Sequence, residues 1–185
     1  MAKLTQQAMA ASLKKMLSKK TLDKITVKEI ADDCGVKRQT FYYHFKDLHD
    51  LLEWTLIQEG EQVIDPNQIC ETWQDIYFEV FRYIEDNKNF VVNAYISVGK
   101  ESLERFLYRI VYDLIAKFLH DMGGAEQMEK EDRDFICDFY KFGLAGIILE
   151  WVESGMKEDP ESLSGRINRL LERHIEADFQ LLTKK

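Results

Sequence analysis

The chain has 185 residues, 25 lysines and arginines against 33 aspartates and glutamates, a net charge of −8 and a hydrophobic content of 45%. That length and apolar content suit one compact body or two small ones and exclude a disordered tail. The longest apolar run, Phe142 to Leu149, is far short of the about twenty residues of a membrane span, and Met1 to Lys20 lacks a secretory block, so a cytoplasmic protein without a membrane partner is expected.

Leu4, Ala8, Ala11, Leu13 and Leu17 keep an interrupted amphipathic rhythm that predicts a first helix. Thr26 followed three residues later by Glu29 makes a capping box, so a second helix should start near Val27. Val27, Ile30 and Ala31 fall on one buried stripe of it, with Lys28, Asp32 and Asp33 outward. Gly35 ends this helix, because glycine enters a left-handed conformation without steric cost and reverses the chain tightly. A third, short helix follows. At about 100° per residue, Phe41 and Phe45 define its inner side and Gln39, Thr40 and Tyr43 its outer side, flanked by Arg38, Tyr42 and His44. Arg bonds guanine edges, Gln bonds adenine and the Thr methyl meets a thymine methyl, while tyrosine hydroxyls, Lys28, Lys37 and Lys46 suit phosphates. Two helices joined by such a turn are the sequence form of a DNA-reading helix-turn-helix.

The string from Thr26 through GVKRQTFYYHFKDLHDLL to Leu52 closely resembles the amino-terminal domain of TetR-type transcriptional regulators. Phe41, Tyr42, His44 and Phe45 match the family's aromatic-Tyr-x-His-Phe run. By that resemblance Tyr42 and His44 contact phosphate, while Arg38, Gln39, Thr40 and Tyr43 occupy the variable positions that read operators. Where members commonly place Ser or Thr, this chain has Lys37, a weak N-cap whose ammonium suits a phosphate instead. Charge agrees with this division. Residues 1–50 hold ten Lys/Arg against six Asp/Glu, a balance of +4, and the rest of the chain stands at −12.

Beyond residue 46 the pattern is helical throughout. Asp47 caps a helix with Leu48, Leu51, Leu52, Leu56 and Ile57, interrupted at Asp65-Pro66-Asn67. Trp73, Ile76, Tyr77, Val80, Phe81 and Ile84 form the next stripe, then a segment from Asn87 to Val98 stops at Gly99. Leu103 to Leu119 is a long stripe ended by Gly123-Gly124. Phe135 to Val152 is apolar almost all round, with Gly143 and Gly146 leaving flat places. After Asp159-Pro160, Leu163, Ile167, Leu170, Leu171, Ile175, Phe179 and Leu182 continue the rhythm. The expected fold is all-α with about nine helices, a helix-turn-helix domain over 1–46 and a helical effector-binding and dimerisation domain over 47–185. The apolar excess of the last two helices predicts a homodimer formed through them, the alternative being a well-covered internal helix.

The resemblance implies a repressor of a double-stranded DNA operator, released by an effector in the carboxy-terminal domain, where Trp73, Tyr77, Tyr95 and Tyr140 are candidate cavity residues. Ordinary core positions are the alternative for these aromatics. The body, including Gly143, Gly146, Trp151 and Gly155, resembles the subgroup of dihydroxyacetone kinase regulators. That keeps open an activator responding to a protein partner, with an all-α scaffold protein as a further alternative. An enzyme is not expected. Neither G-x-S-x-G, H-E-x-x-H nor a phosphate-cradling glycine loop occurs, and Glu172, His174 and Glu176 alternate around a helix without converging on a metal. Cys34, Cys70 and Cys137 are odd in number and far apart, supporting neither a disulfide framework nor a zinc finger. No cofactor is expected.

Overall fold

A computed structural model describes residues 2–63, 73–121 and 128–170. The expected interruptions at Asp65-Pro66-Asn67 and Gly123-Gly124, the residues Cys70, Glu172, His174 and Glu176, and the terminal Leu171, Ile175, Phe179 and Leu182 lie outside the described residues. Among the described residues there is no β-strand. The helices are α1 (Ala2–Leu17), α2 (Val27–Asp33), α3 (Arg38–His44), α4 (Leu48–Val63), α5 (Trp73–Asp86), α6 (Lys88–Val98), α7 (Lys100–Asp121) and α8 (Lys130–Glu153). Residues 160–170 form a further helix, α9, and Leu22–Lys24 a single 3-10 turn. The all-α expectation therefore holds.

Two compact units divide these elements. The first holds α1 to α4, α6 and the start of α7. Within it α1 packs on α2 and on α6, and α2 packs on α3. Met9, Leu13, Leu17, Ile30, Phe41, Leu51 and Leu52 are fully enclosed, and Phe45 meets Trp54 of α4 edge to face at 5.8 Å. The amides of His49 and Asp50 donate to Asp47 Oδ1 at 2.9 and 3.0 Å, so the expected cap starts α4. Gly99 closes α6 at φ +77°, where a side chain would be strained.

The second unit holds α5, the rest of α7, α8 and α9. Val80, Phe81 and Ile84 of α5 are buried, as are Leu107, Ile110, Val111, Leu114, Ile115, Phe118 and Leu119 of α7. From α8, Ile136, Cys137, Tyr140, Leu144, Ile148 and Trp151 complete the core. Burial pushes the Cys137 thiol up to about 11, which suits a packing residue better than a reactive one. The α8 helix ends as the amides of Gly155 and Met156 donate back to Val152 and Trp151 carbonyls. Gly155 and Met156 both take positive φ there, the backbone form that ends many helices. Asp159 then accepts the amides of Glu161 and Ser162 at 3.1 and 3.0 Å, which caps α9 with Pro160 at its first position.

Candidate nucleic-acid interface

The entry to α2 is fixed by reciprocal bonds. Glu29 N–H donates to Thr26 Oγ1 at 3.2 Å, while the Thr26 amide donates to Glu29 Oε2 at 2.8 Å. Lys20 Nζ reaches the other carboxylate oxygen at 2.7 Å. The Lys20 hydrogen bond, followed by those from the Thr26 hydroxyl and amide, holds the Glu29 carboxyl at about 2, well below its ordinary 4.5. A folded value below the unfolded one adds stability that is complete above about pH 4.5 and is lost as pH falls toward 2. The stability difference between the native chain and Glu29→Gln, measured by urea unfolding, should accordingly narrow between about pH 7 and about pH 2.5. A gap that stays constant across that range contradicts the cap's ionisation.

The exit from α2 is equally defined. Gly35 sits at φ +65°, its amide donates to Asp32 O at 3.2 Å, and the Val36 amide donates to Ala31 O at 2.9 Å. This pair of bonds is the Schellman arrangement, which satisfies carbonyls that the helix end leaves open. The chain thereby turns straight into α3. Lys37 stands at its N-cap without a side-chain bond, and the Thr40 amide closes the first turn onto Lys37 O at 2.8 Å. The expected weak cap is present, and the lysine ammonium stays available for other work.

On α3 the inward and outward faces separate cleanly. Phe41 is fully buried and Phe45 nearly so, whereas Tyr43 is 82% and Tyr42 55% exposed. Lys28, Lys37, Arg38, Gln39 and Lys46 are exposed, and Thr40 and His44 are half-buried. Tyr42 meets Phe41 edge to face at 5.5 Å, and Tyr43 meets His44 in the same way at 5.0 Å. Those contacts steady rings whose hydroxyls project from the surface. The Asp50 carboxylate accepts the Lys46 amide at 2.8 Å, which ties the end of the reading segment to α4. Nothing local marks Asp50 for this role except its place three residues after the Asp47 cap.

Among the described residues, three of the ten basic side chains of residues 1–50 are paired with carboxylates. Lys14 pairs with Glu59, Lys15 with Asp33 and Lys20 with Glu29. Among the described residues Lys28, Lys37, Arg38 and Lys46 have no such carboxylate. These exposed cations of the reading segment, like Lys3, Lys19 and Lys24, carry no carboxylate among the described residues that would compete with a phosphate, and attraction to phosphate acts locally because screening at physiological salt extends only about 8 Å.

The candidate effector residues are distributed over both units. Tyr95 lies partly exposed on α6 of the first unit, and Tyr140 is buried on α8 of the second. Trp73 and Tyr77 belong to α5, and their side chains lie outside the described residues. Among the described residues no group of histidines, cysteines or carboxylates is placed to hold a metal ion. No described helix is long and apolar enough to cross a membrane.

One face of α8 is unusual for a surface. Phe135, Phe139 and Phe142 are 69%, 64% and 54% exposed, and Gly143 and Gly146 are exposed beside them. Residues 135, 139, 142 and 146 follow one helical stripe. Leu170 of α9 adds a further exposed apolar group. Between α8 and α9 runs a groove of about 590 Å³ lined in part by Gly146, Ile147, Trp151, Leu163, Ile167 and Leu170.

A family model described as bacterial regulatory proteins, tetR family, matches residues 11–53. Another, described as transcriptional regulator C-terminal region, matches residues 71–173. The chain is 25% identical over 170 residues to the HTH-type dhaKLM operon transcriptional activator DhaS of Lactococcus lactis subsp. lactis (strain IL1403), covering 91% of this chain and 89% of that protein. A solved structure of the dihydroxyacetone kinase operon activator DhaS superimposes with a TM-score of 0.74 at 23% identity, over 94% of this chain and 97% of that one. The fold is also similar to that of NalD, described as the secondary repressor of the MexAB-OprM multidrug efflux pump in Pseudomonas aeruginosa. There the TM-score is 0.60 at 15% identity, over 94% and 97% of the two chains.

Proposed function

The chain belongs to the TetR family of DNA-binding transcriptional regulators, and from that premise we propose how its own residues perform the task. Residues 1–46 read the operator and residues 47–185 carry effector binding and dimerisation. Gln39, Thr40 and Tyr43 face base edges, with Arg38 beside them. Lys28, Lys37, Tyr42, His44 and Lys46 hold phosphates. The observation that carries this reading is the outward face of α3, where a fully buried Phe41 stands opposite an 82% exposed Tyr43 between unpaired cations. Two copies joined through α8 and α9 would present two such faces to a roughly palindromic site in the cytoplasm. An effector favouring one of two conformations then changes DNA affinity through its differential binding.

Release of a repressor is the first reading of that change. Activation is the second, favoured by the similarity to DhaS, which is named an activator. Transcription in vitro from an operator-bearing template separates them, since adding protein lowers output under the first and raises it under the second.

The base-reading assignment has its own test. DNA fragments selected by the purified protein should be preferred over random duplex at about 150 mM salt. Gln39→Ala should relax the preference at one position of each half-site at a cost of about 1–3 kcal/mol, whereas Tyr42→Phe should weaken all sites alike. Identical selection profiles for the two variants would overturn the division between reading and holding residues.

A further inference from the structure

Two side chains of α6 bond to main chain some 75 residues away in sequence. Asn93 Nδ2 donates to the carbonyl of Leu17, the last residue of α1, at 2.7 Å. The Leu22 amide donates to Ser97 Oγ at 3.1 Å, and the Ser97 hydroxyl donates to the Asn93 carbonyl at 2.5 Å. The Ser97 proton is therefore committed, which leaves its oxygen aimed as an acceptor. Leu17 O belongs to the last carbonyls of α1, which have no partner within the helix, and Leu22 N–H opens the 3-10 turn. One turn of α6 thus caps the end of one element and the start of the next. Because both bonds go to backbone, they fix the path of the Ser18–Thr21 connection whatever its side chains do. Lys14 Nζ, 5.6 Å from the Phe90 ring centroid, adds a second link between α1 and α6. Four residues beyond Leu22 the chain reaches Thr26 and the capping box of α2.

We propose that Asn93 and Ser97 are positioning residues for DNA binding. Through the Leu17–Leu22 connection, α6 holds α2 and α3 in the register that base reading needs. This rests on the reading face assigned above. Base edges demand placement within a fraction of an ångström, whereas attraction to phosphates tolerates a looser head. Loss of the splint therefore separates specific from nonspecific binding, which a general loss of stability would not do.

The experiment uses the full chain, an operator duplex selected by the wild-type protein and a random duplex of equal length at about 150 mM salt. Ser97→Ala removes the acceptor, Asn93→Asp removes the donor, and Ser97→Thr keeps the hydroxyl. With sedimentation unchanged, Ser97→Ala and Asn93→Asp should weaken operator binding about threefold to tenfold and leave random-duplex affinity unaltered. Hydrogen exchange at the Leu22 amide should quicken in Ser97→Ala, and Ser97→Thr should restore both properties. Wild-type operator affinity in the first two variants overturns the proposal, as does an equal loss on both duplexes or a failure of Ser97→Thr to restore binding. Absence of any operator preference in the wild-type protein would instead strike the reading-face assignment, before a variant is made.

Discussion

Phe139→Glu should leave a folded monomer whose operator affinity is lower by about 10²- to 10⁴-fold. The reason lies in the surface of α8. Phe135, Phe139 and Phe142 stand on one stripe and are all more than half exposed. Full burial of such a side chain is worth about 1.5–3 kcal/mol, and a two-fold axis collects that contribution from both copies. Phe139 lies in the middle of the stripe, beside the exposed Gly143 and Gly146, where two helices can approach closely. In the proposed interface a carboxylate there would be desolvated, and the two-fold would bring one from each copy, so both would oppose association. Among the described residues the ring makes an edge contact with Tyr140 at 5.3 Å and is 64% exposed, so the fold should tolerate its loss. Operator binding should suffer because each head alone loses the effective concentration supplied by its twin. Sedimentation at micromolar concentration and titration of the selected operator give the two readings. A variant that remains dimeric and binds DNA normally would remove α8 from the interface.

Phe41→Ala should cost about 3–5 kcal/mol of head stability, the usual range for deleting a fully buried phenylalanine. Phe41 has no exposed surface, and its ring is 5.9 Å from that of Phe45 and 5.5 Å from that of Tyr42. Its removal leaves a cavity under α3 and withdraws the support of Tyr42, so packing and the phosphate contact proposed for Tyr42 should fail together. Fluorotryptophan placed at Trp54, which meets Phe45 edge to face, offers a resonance sensitive to this region. Its unfolding midpoint in urea should drop strongly. A loss below about 1 kcal/mol would mean that the site collapses around the gap and that Phe41 is not the keystone of the head.

The parts of this molecule that the sequence makes legible are those with local causes. Thr26 and Glu29 lie three residues apart, Gly35 answers a single backbone requirement, and Asp47 and Asp159 cap the residues that follow them. Phe41 and Phe45 differ from Tyr43 simply by rotation. The α8 face is legible as an apolar excess, because a helix with phenylalanines on its spare side has more to bury than one core can take. What is not legible depends on distant pairing. Asn93 and Ser97 look like ordinary polar residues of a short helix, and only the fold brings them to Leu17 and Leu22. The charge count of residues 1–50 likewise hides that Lys14 is matched by Glu59, 45 residues away. The aromatic candidates for effector binding share helical spacing with core residues, so periodicity cannot distinguish a cavity wall from packing. Thr40, at the edge of the outward face, is half-buried because a short helix lying on its neighbour has a narrow free side.

The partition of the head's lysines also governs how binding responds to the ionic medium. A cation already neutralised by a carboxylate displaces few ions from DNA, so Lys14, Lys15 and Lys20 contribute little to the entropy gained when condensed counterions leave the duplex. With the phosphate contacts proposed above, that gain should fall chiefly to Lys28, Lys37, Arg38 and Lys46. The salt dependence of the complex should thereby be set by a few side chains around the reading helix, and be shallower than the count of basic residues suggests. A regulator built in this way should keep more of its hold on DNA when the osmotic state of the cell changes, and rely correspondingly more on the shape and bases of its site.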